Sequence, residues 1–131
     1  MFIDASVLAA MMTNEDDARE FAARMQVDTA RMTSPAAVAQ AAIRVAATLD
    51  LSLADASDAI RRFLTLMNIQ LLATPPRAAF LALEAYERFG KGRHPADLDL
   101  DDCMTYACAR YYRQPLLAKG DQFGRTDIGM A

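Results

Sequence analysis

Three aspartates that lie far apart in the chain stand where an α/β sheet would bring acids together. Asp4 follows the apolar run Met1-Phe2-Ile3, Asp102 falls in the first turn of a helix expected from Leu100, and Asp121 follows Pro115-Leu116-Leu117-Ala118 across Lys119-Gly120. Open parallel sheets form their sites outside the carboxyl ends of the strands. Carboxylates gathered there repel, and burial raises their pKa, so a cation must offset the cluster. Mg²⁺ or Mn²⁺ suits the task, being a hard ion that prefers oxygen ligands and keeps several waters. One such ion activates water; two, roughly 4 Å apart, clamp the attacking and leaving oxygens of a phosphodiester. Each aspartate also has a plainer role. Asp4 can cap the helix at Ser6, Asp102 can favour a helix dipole, and Asp121 can be a turn residue after Gly120. Spacing alone leaves both readings open.

To position these acids the chain must alternate strands with helices. The runs Met1–Ile3, Thr29–Thr33, Ile69–Leu72 and Pro115–Ala118 read as short strands. Between them, Ala5–Met12 reads as a helix, and Asn14 is expected to cap a second one that runs to about Gln26. Ser34-Pro35 pairs a capping serine with a proline at the first helical position and opens a helix to about Thr48. Ser52 and Asp55 resemble a capping box for the next helix, with Asp in place of the usual Glu. That helix carries Ala56, Ile60, Phe63, Leu64 and Met67 along one face. The stripe is either core or a contact surface for a partner. Thr74-Pro75 is expected to start a helix ending near Phe89-Gly90, residues 90–95 form a loop, and Asp99 caps a helix to about Tyr112. The pattern predicts an α/β fold, a small, mainly parallel sheet sandwiched by helices, in a single domain over residues 1–131.

Composition narrows the class. The 131 residues are 53% hydrophobic and 24% charged, enough apolar content to fill a core and too much for a disordered chain. No 20-residue stretch is free of charges, and no basic segment followed by a long apolar run opens the chain, so neither a membrane span nor a signal peptide is expected. Cys103 and Cys108 lie on different parts of one helix surface, which suggests neither a disulfide nor a metal site. A reduced, cytoplasmic setting fits them. The net charge of −3 argues against broad electrostatic binding to a polyanion. It leaves room for a nuclease whose acids are masked by metal ions.

The opening Met1-Phe2-Ile3-Asp4-Ala5-Ser6 resembles that of the PIN domain. Gly90-Lys91-Gly92-Arg93-His94-Pro95-Ala96, Leu98, Asp102-Cys103 and Tyr106-Ala107 are similar to the signature of VapC toxins from bacterial toxin–antitoxin pairs. Leu116-Leu117, Lys119-Gly120-Asp121, Phe123 and Thr126-Asp127-Ile128 complete the match. The resemblance implies a PIN-like fold and a Mg²⁺- or Mn²⁺-dependent endoribonuclease acting on RNA such as tRNA or rRNA, with products bearing a 5′ phosphate and a 3′ hydroxyl. It implies Asp4, Asp102 and Asp121 as metal ligands, Ser6 orienting Asp4, and Asp127 as an outer support. It also implies a VapB-type antitoxin as partner and a homodimer.

At one place the chain departs from that family. The resemblance calls for a Glu six residues after the Ser of Ser34-Pro35, and Gln40 stands there. Glutamine keeps a carbonyl oxygen but has no charge, so it binds a cation less tightly and cannot act as a base. Three readings follow: a site that works with three acids and weaker metal binding, a natural low-activity relative (at the limit a catalytically weakened, PIN-like binding module), or an engineered change that disarms a toxin. Glu84 and Glu87 lie on another helix, with no reason to substitute. Lys91 and Arg93 are either a solvated loop or a basic lip for RNA phosphates, and His94 is a poor general base beside Pro95. A phosphatase with Asp4 as nucleophile would need Asp-x-Asp, and residue 6 is Ser.

Overall fold

The computed structural model describes all 131 residues. In chain order the elements are β1 (Phe2–Ile3), α1 (Ala5–Met12), α2 (Ala18–Gln26), β2 (Met32–Thr33), α3 (Pro35–Leu49), α4 (Leu53–Leu66), β3 (Gln70–Leu71), α5 (Ala78–Phe89), α6 (Leu100–Tyr111) and β4 (Leu116–Leu117). A 3₁₀ turn over Phe123–Arg125 follows. The four strands form one parallel sheet in the order β3-β2-β1-β4.

Two-residue strands suffice because successive side chains point to opposite faces and both residues of each central pair are apolar. Phe2 and Leu116 pack with α5 and α6, whereas Ile3 and Leu117 pack with α1, α3 and α4. All four side chains are fully buried. Burying each contributes about 1.5–3 kcal/mol relative to exposure. The outer strand β3 is exposed on both residues, as befits an edge.

The connections β1-to-β2 and β2-to-β3 place their helices on one face, and the β3-to-β4 connection places α5 and α6 on the other. Strand order therefore reverses between β1 and β4, the point at which such sheets open a crevice at their carboxyl ends.

Two helix starts fall later than the sequence suggests. Asn14 does not cap α2; it sits at φ 53° in a turn, and the helix begins beyond Asp17 without a side-chain cap. Helix α5 starts at Ala78 rather than after Thr74, because each of the two successive prolines, Pro75 and Pro76, disfavours the helical conformation in the residue before it, which keeps Thr74 and Pro75 extended. At Ser34, Ser52 and Asp99 the expected caps are present: each side chain accepts the N–H three residues on. The stripe on α4 belongs to the core, with Ala56, Ile60 and Leu64 buried and Phe63 and Met67 packed against the cluster, so it is not an open partner surface. No single helix is long and apolar enough to cross a membrane.

Shortening Ile3 to Val should lower unfolding stability by about 0.5–1.5 kcal/mol in urea titrations, whereas Leu71→Thr on the exposed edge should change it by less than about 0.5 kcal/mol. Equal effects at the two sites would contradict a sheet whose centre is β1.

Candidate active site

Asp4 ends the central strand and caps α1 at the same time. Its Oδ2 accepts the Ser6 amide at 3.1 Å and the Ser6 hydroxyl at 2.6 Å, and its Oδ1 accepts the Thr105 hydroxyl at 2.9 Å. The Ser6 hydroxyl in turn accepts the Lys119 amide at 3.0 Å. One carboxylate thus links the end of β1, the start of α1, the middle of α6 and the segment after β4. Thr105, largely buried on α6, was invisible as a partner from sequence; only its place three residues after Asp102 hinted that it shares a helix face.

Asp102 sits across the cleft in a reciprocal capping box. The Asp99 carboxylate accepts the Asp102 amide at 2.8 Å, and Asp102 Oδ2 accepts the Asp99 amide at 3.0 Å. No hydrogen bond falls on Asp102 Oδ1. Burial pushes the Asp102 carboxyl up to about 6, and the charges of Asp99 and Asp4 push the same way, against the lowering effect of the Asp99 amide.

These acids line a small polar cavity of about 190 Å³ with Gln40, Arg44, Asp101, Lys119, Gln122 and Phe123. Asp4 and Asp102 are the two expected acids that meet here, and Gln40 joins them from α3. Asp99, Asp101, Arg44, Lys119 and Gln122 were not singled out from sequence as site residues. Asp99 and Asp102 were detectable as a capping pair, and Arg44 as the position one helical turn beyond Gln40.

Asp121 is not brought to the cavity. It is 78% exposed, and its Oδ2 accepts Arg125 Nη2 at 2.8 Å. Gly120, at φ 89°, turns the chain, and the next residue, Gln122, faces the cleft instead. Asp127 also lies elsewhere. It accepts the Tyr106 hydroxyl at 2.5 Å and pairs with Arg110 at 3.0 Å and Arg88 at 3.2 Å, tying the C-terminal segment to α5 and α6. Burial would raise its pKa, but the Tyr106 hydroxyl and the two guanidinium groups outweigh it and hold the carboxyl below the usual range.

The basic loop is displaced as well. Lys91 borders a separate, mainly apolar hollow with Ala82, Leu83, Tyr86, Leu100 and Met104; Asp99 lies between the two hollows. Arg93 stacks 5.8 Å above the Tyr86 ring. His94 accepts the Ala96 amide through Nδ1 at 3.0 Å and meets Phe89 edge-on, so its ring shapes the loop. Both cysteines are buried and free, and burial pushes Cys103 up to about 11, which makes it a poor nucleophile or ligand.

No three Asp, Glu, His or Cys side chains are close enough together to hold one ion by themselves. The donors in the cleft are nonetheless all oxygens, with no imidazole or thiolate among them. Two carboxylates plus waters suit Mg²⁺, which is usually bound through one or two protein acids. The residues therefore fit a hard divalent cation held by Asp4 and Asp102, with the Gln40 carbonyl as a neutral third donor.

A parallel sheet with a carboxylate crevice at its switch point defines a class that the comparisons make explicit. Residues 1–129 match the PIN domain, and the chain belongs to that family. The relatives it matches along nearly all its length are VapC ribonucleases. Ribonuclease VapC30 of Mycobacterium tuberculosis is 36% identical over 128 residues, covering 98% of this chain and 95% of the relative. VapC ribonuclease Mb0640 of Mycobacterium bovis shows the same identity and coverage. Ribonuclease VapC of Mycolicibacterium smegmatis is 35% identical over 128 residues, covering 98% and 97%.

Replacing Asp127 by Ala should cost about 1 kcal/mol of stability at neutral pH, since its partners are partly exposed. Because the folded-state pKa is depressed, that contribution is present above the unfolded value of 3.8 and is lost as pH falls through the lower folded value. Urea midpoints of the wild type and the variant should therefore converge as pH falls below 3.8. A gap that stays constant would mean the carboxylate charge is not what matters there.

Proposed function

We propose that this protein is a divalent-metal-dependent endoribonuclease toxin of a VapBC-type pair, cutting RNA to leave a 5′ phosphate and a 3′ hydroxyl. The observation that carries the reading is the meeting of Asp4 and Asp102 at the β1/β4 crevice, in a chain whose full-length relatives bear the name ribonuclease. Bound Mg²⁺ or Mn²⁺ would supply Lewis-acid activation of water and stabilisation of the charge that develops on phosphorus. Asp4, held from both sides by Ser6 and Thr105, presents its oxygens in one orientation. Asp102 keeps one oxygen free for the cleft while its other oxygen closes the helix cap. Gln40 contributes position and a carbonyl dipole but accepts no proton at neutral pH.

A VapB-type antitoxin is the proposed partner, and a homodimer the proposed assembly, in a cytoplasm that keeps the two buried thiols reduced. The second reading, a weakened PIN-like module kept for binding, is favoured by two glutamines, Gln40 and Gln122, among the cleft acids. Both place neutral amides where a metal centre gains most from charge.

Cleavage of labelled RNA in Mn²⁺ decides between them. We expect chelator-sensitive cleavage, a loss of about 10²-fold or more in Asp4→Asn and Asp102→Asn, and little change in Asp121→Asn. Gln40→Glu should raise the rate at saturating RNA by strengthening cation binding. Cleavage indifferent to chelator would sink the metal reading. Activity confined to Gln40→Glu would make the native chain a binding module.

A further inference from the structure

The acid cleft contains two cations, and only one of them is engaged. Lys119 Nζ lies 3.3 Å from Glu15 and 3.5 Å from Asp17, so its charge is already taken up at the rim. Arg44 lines the same cavity as Asp4, Asp99, Asp101 and Asp102, yet makes no hydrogen bond and no ion pair. Asp4 is held by Ser6 and Thr105, and Asp99 and Asp102 cap each other's amides; none of the cavity's acids pairs with Arg44.

Residue 40 decides whether that guanidinium stays free. Position 40 lies one turn before Arg44 on α3. An acid four residues N-terminal to an arginine is the favourable order for an ion pair on a helix surface. A glutamate there would draw Arg44 onto its own helix, whereas Gln40, being neutral, leaves it unpaired. The two unusual features of this cleft are therefore coupled through one helical turn.

An RNA strand approaching a crevice lined by four carboxylates needs a fixed positive charge to hold its backbone, and a planar guanidinium matches a phosphate with two parallel hydrogen bonds. We propose that Arg44 grips an RNA phosphate beside the scissile bond, and that the neutrality of Gln40 keeps it available. The assignment rests on the ribonuclease reading and deepens it by naming the residue that positions the substrate. Arg44 is exposed on α3, so changing it leaves the core intact.

The test is fluorescence anisotropy of a short single-stranded phosphorothioate RNA, titrated in Mg²⁺ at several KCl concentrations, alongside cleavage of the unmodified RNA. Arg44→Ala should weaken binding about fivefold to tenfold and reduce the slope of log affinity against log salt by about 0.7. Arg44→Lys should retain the slope, because it keeps the charge. Arg62→Ala, which removes an arginine lining a different hollow, on α4, should match the wild type in both. An Arg44→Ala protein with wild-type affinity and slope overturns this inference while leaving the ribonuclease reading in place if the wild type still cleaves. A wild type that neither binds nor cleaves RNA overturns both.

Discussion

The carboxylate of Asp4 is the constraint on which the site depends. It accepts three hydrogen bonds, two from Ser6 and one from Thr105, and the Ser6 hydroxyl that serves it also accepts the amide after β4. Hydrogen bonds to a charged group contribute about 1.5–3 kcal/mol each where water is excluded, and this group is partly buried. Four segments from distant parts of the chain are thus registered against one pair of oxygens. The crevice keeps its shape because the same group ends a strand, caps a helix and clamps the opposite helix.

Around that anchor the charge is unevenly balanced. Asp99 and Asp102 satisfy one another's amides, which fixes the start of α6 but leaves two like charges close together. Burial and mutual repulsion show in the raised Asp102 carboxyl. Lys119 leans out to Glu15 and Asp17, and Asp121 is taken by Arg125. What remains inside is a small oxygen-lined hollow with a free guanidinium at its edge, flanked by two amides. The geometry brings the acids and the arginine to the same hollow from different elements: α6 and the strand ends supply the acids, α3 the arginine and Gln40.

The contrast between Asp121 and Asp127 shows how similar residues diverge. Both lie in the last dozen residues and both pair with arginine. Asp127 also receives a tyrosine hydroxyl and fastens the C-terminal segment to the α5–α6 face, whereas Asp121 stays at the surface in an i,i+4 pair of little consequence. Neither reaches the crevice.

The amino-acid sequence by itself determined the local features. The unbroken apolar runs at Phe2-Ile3 and Leu116-Leu117 specify strands buried on both faces. The caps at Ser34, Ser52 and Asp99 start three helices where expected. Asp4 at the end of the first strand was legible for the same reason, since strand direction and side-chain period place it at the sheet's carboxyl edge. Tertiary structure alone decided the rest: that Thr105 meets Asp4, that the α4 stripe is core, and that Gln122 rather than Asp121 faces inward. These depend on how whole helices pack and on the rotation of the chain past Gly120. A one-residue change in that rotation exchanges an acid for an amide, and no periodicity within a single segment encodes it.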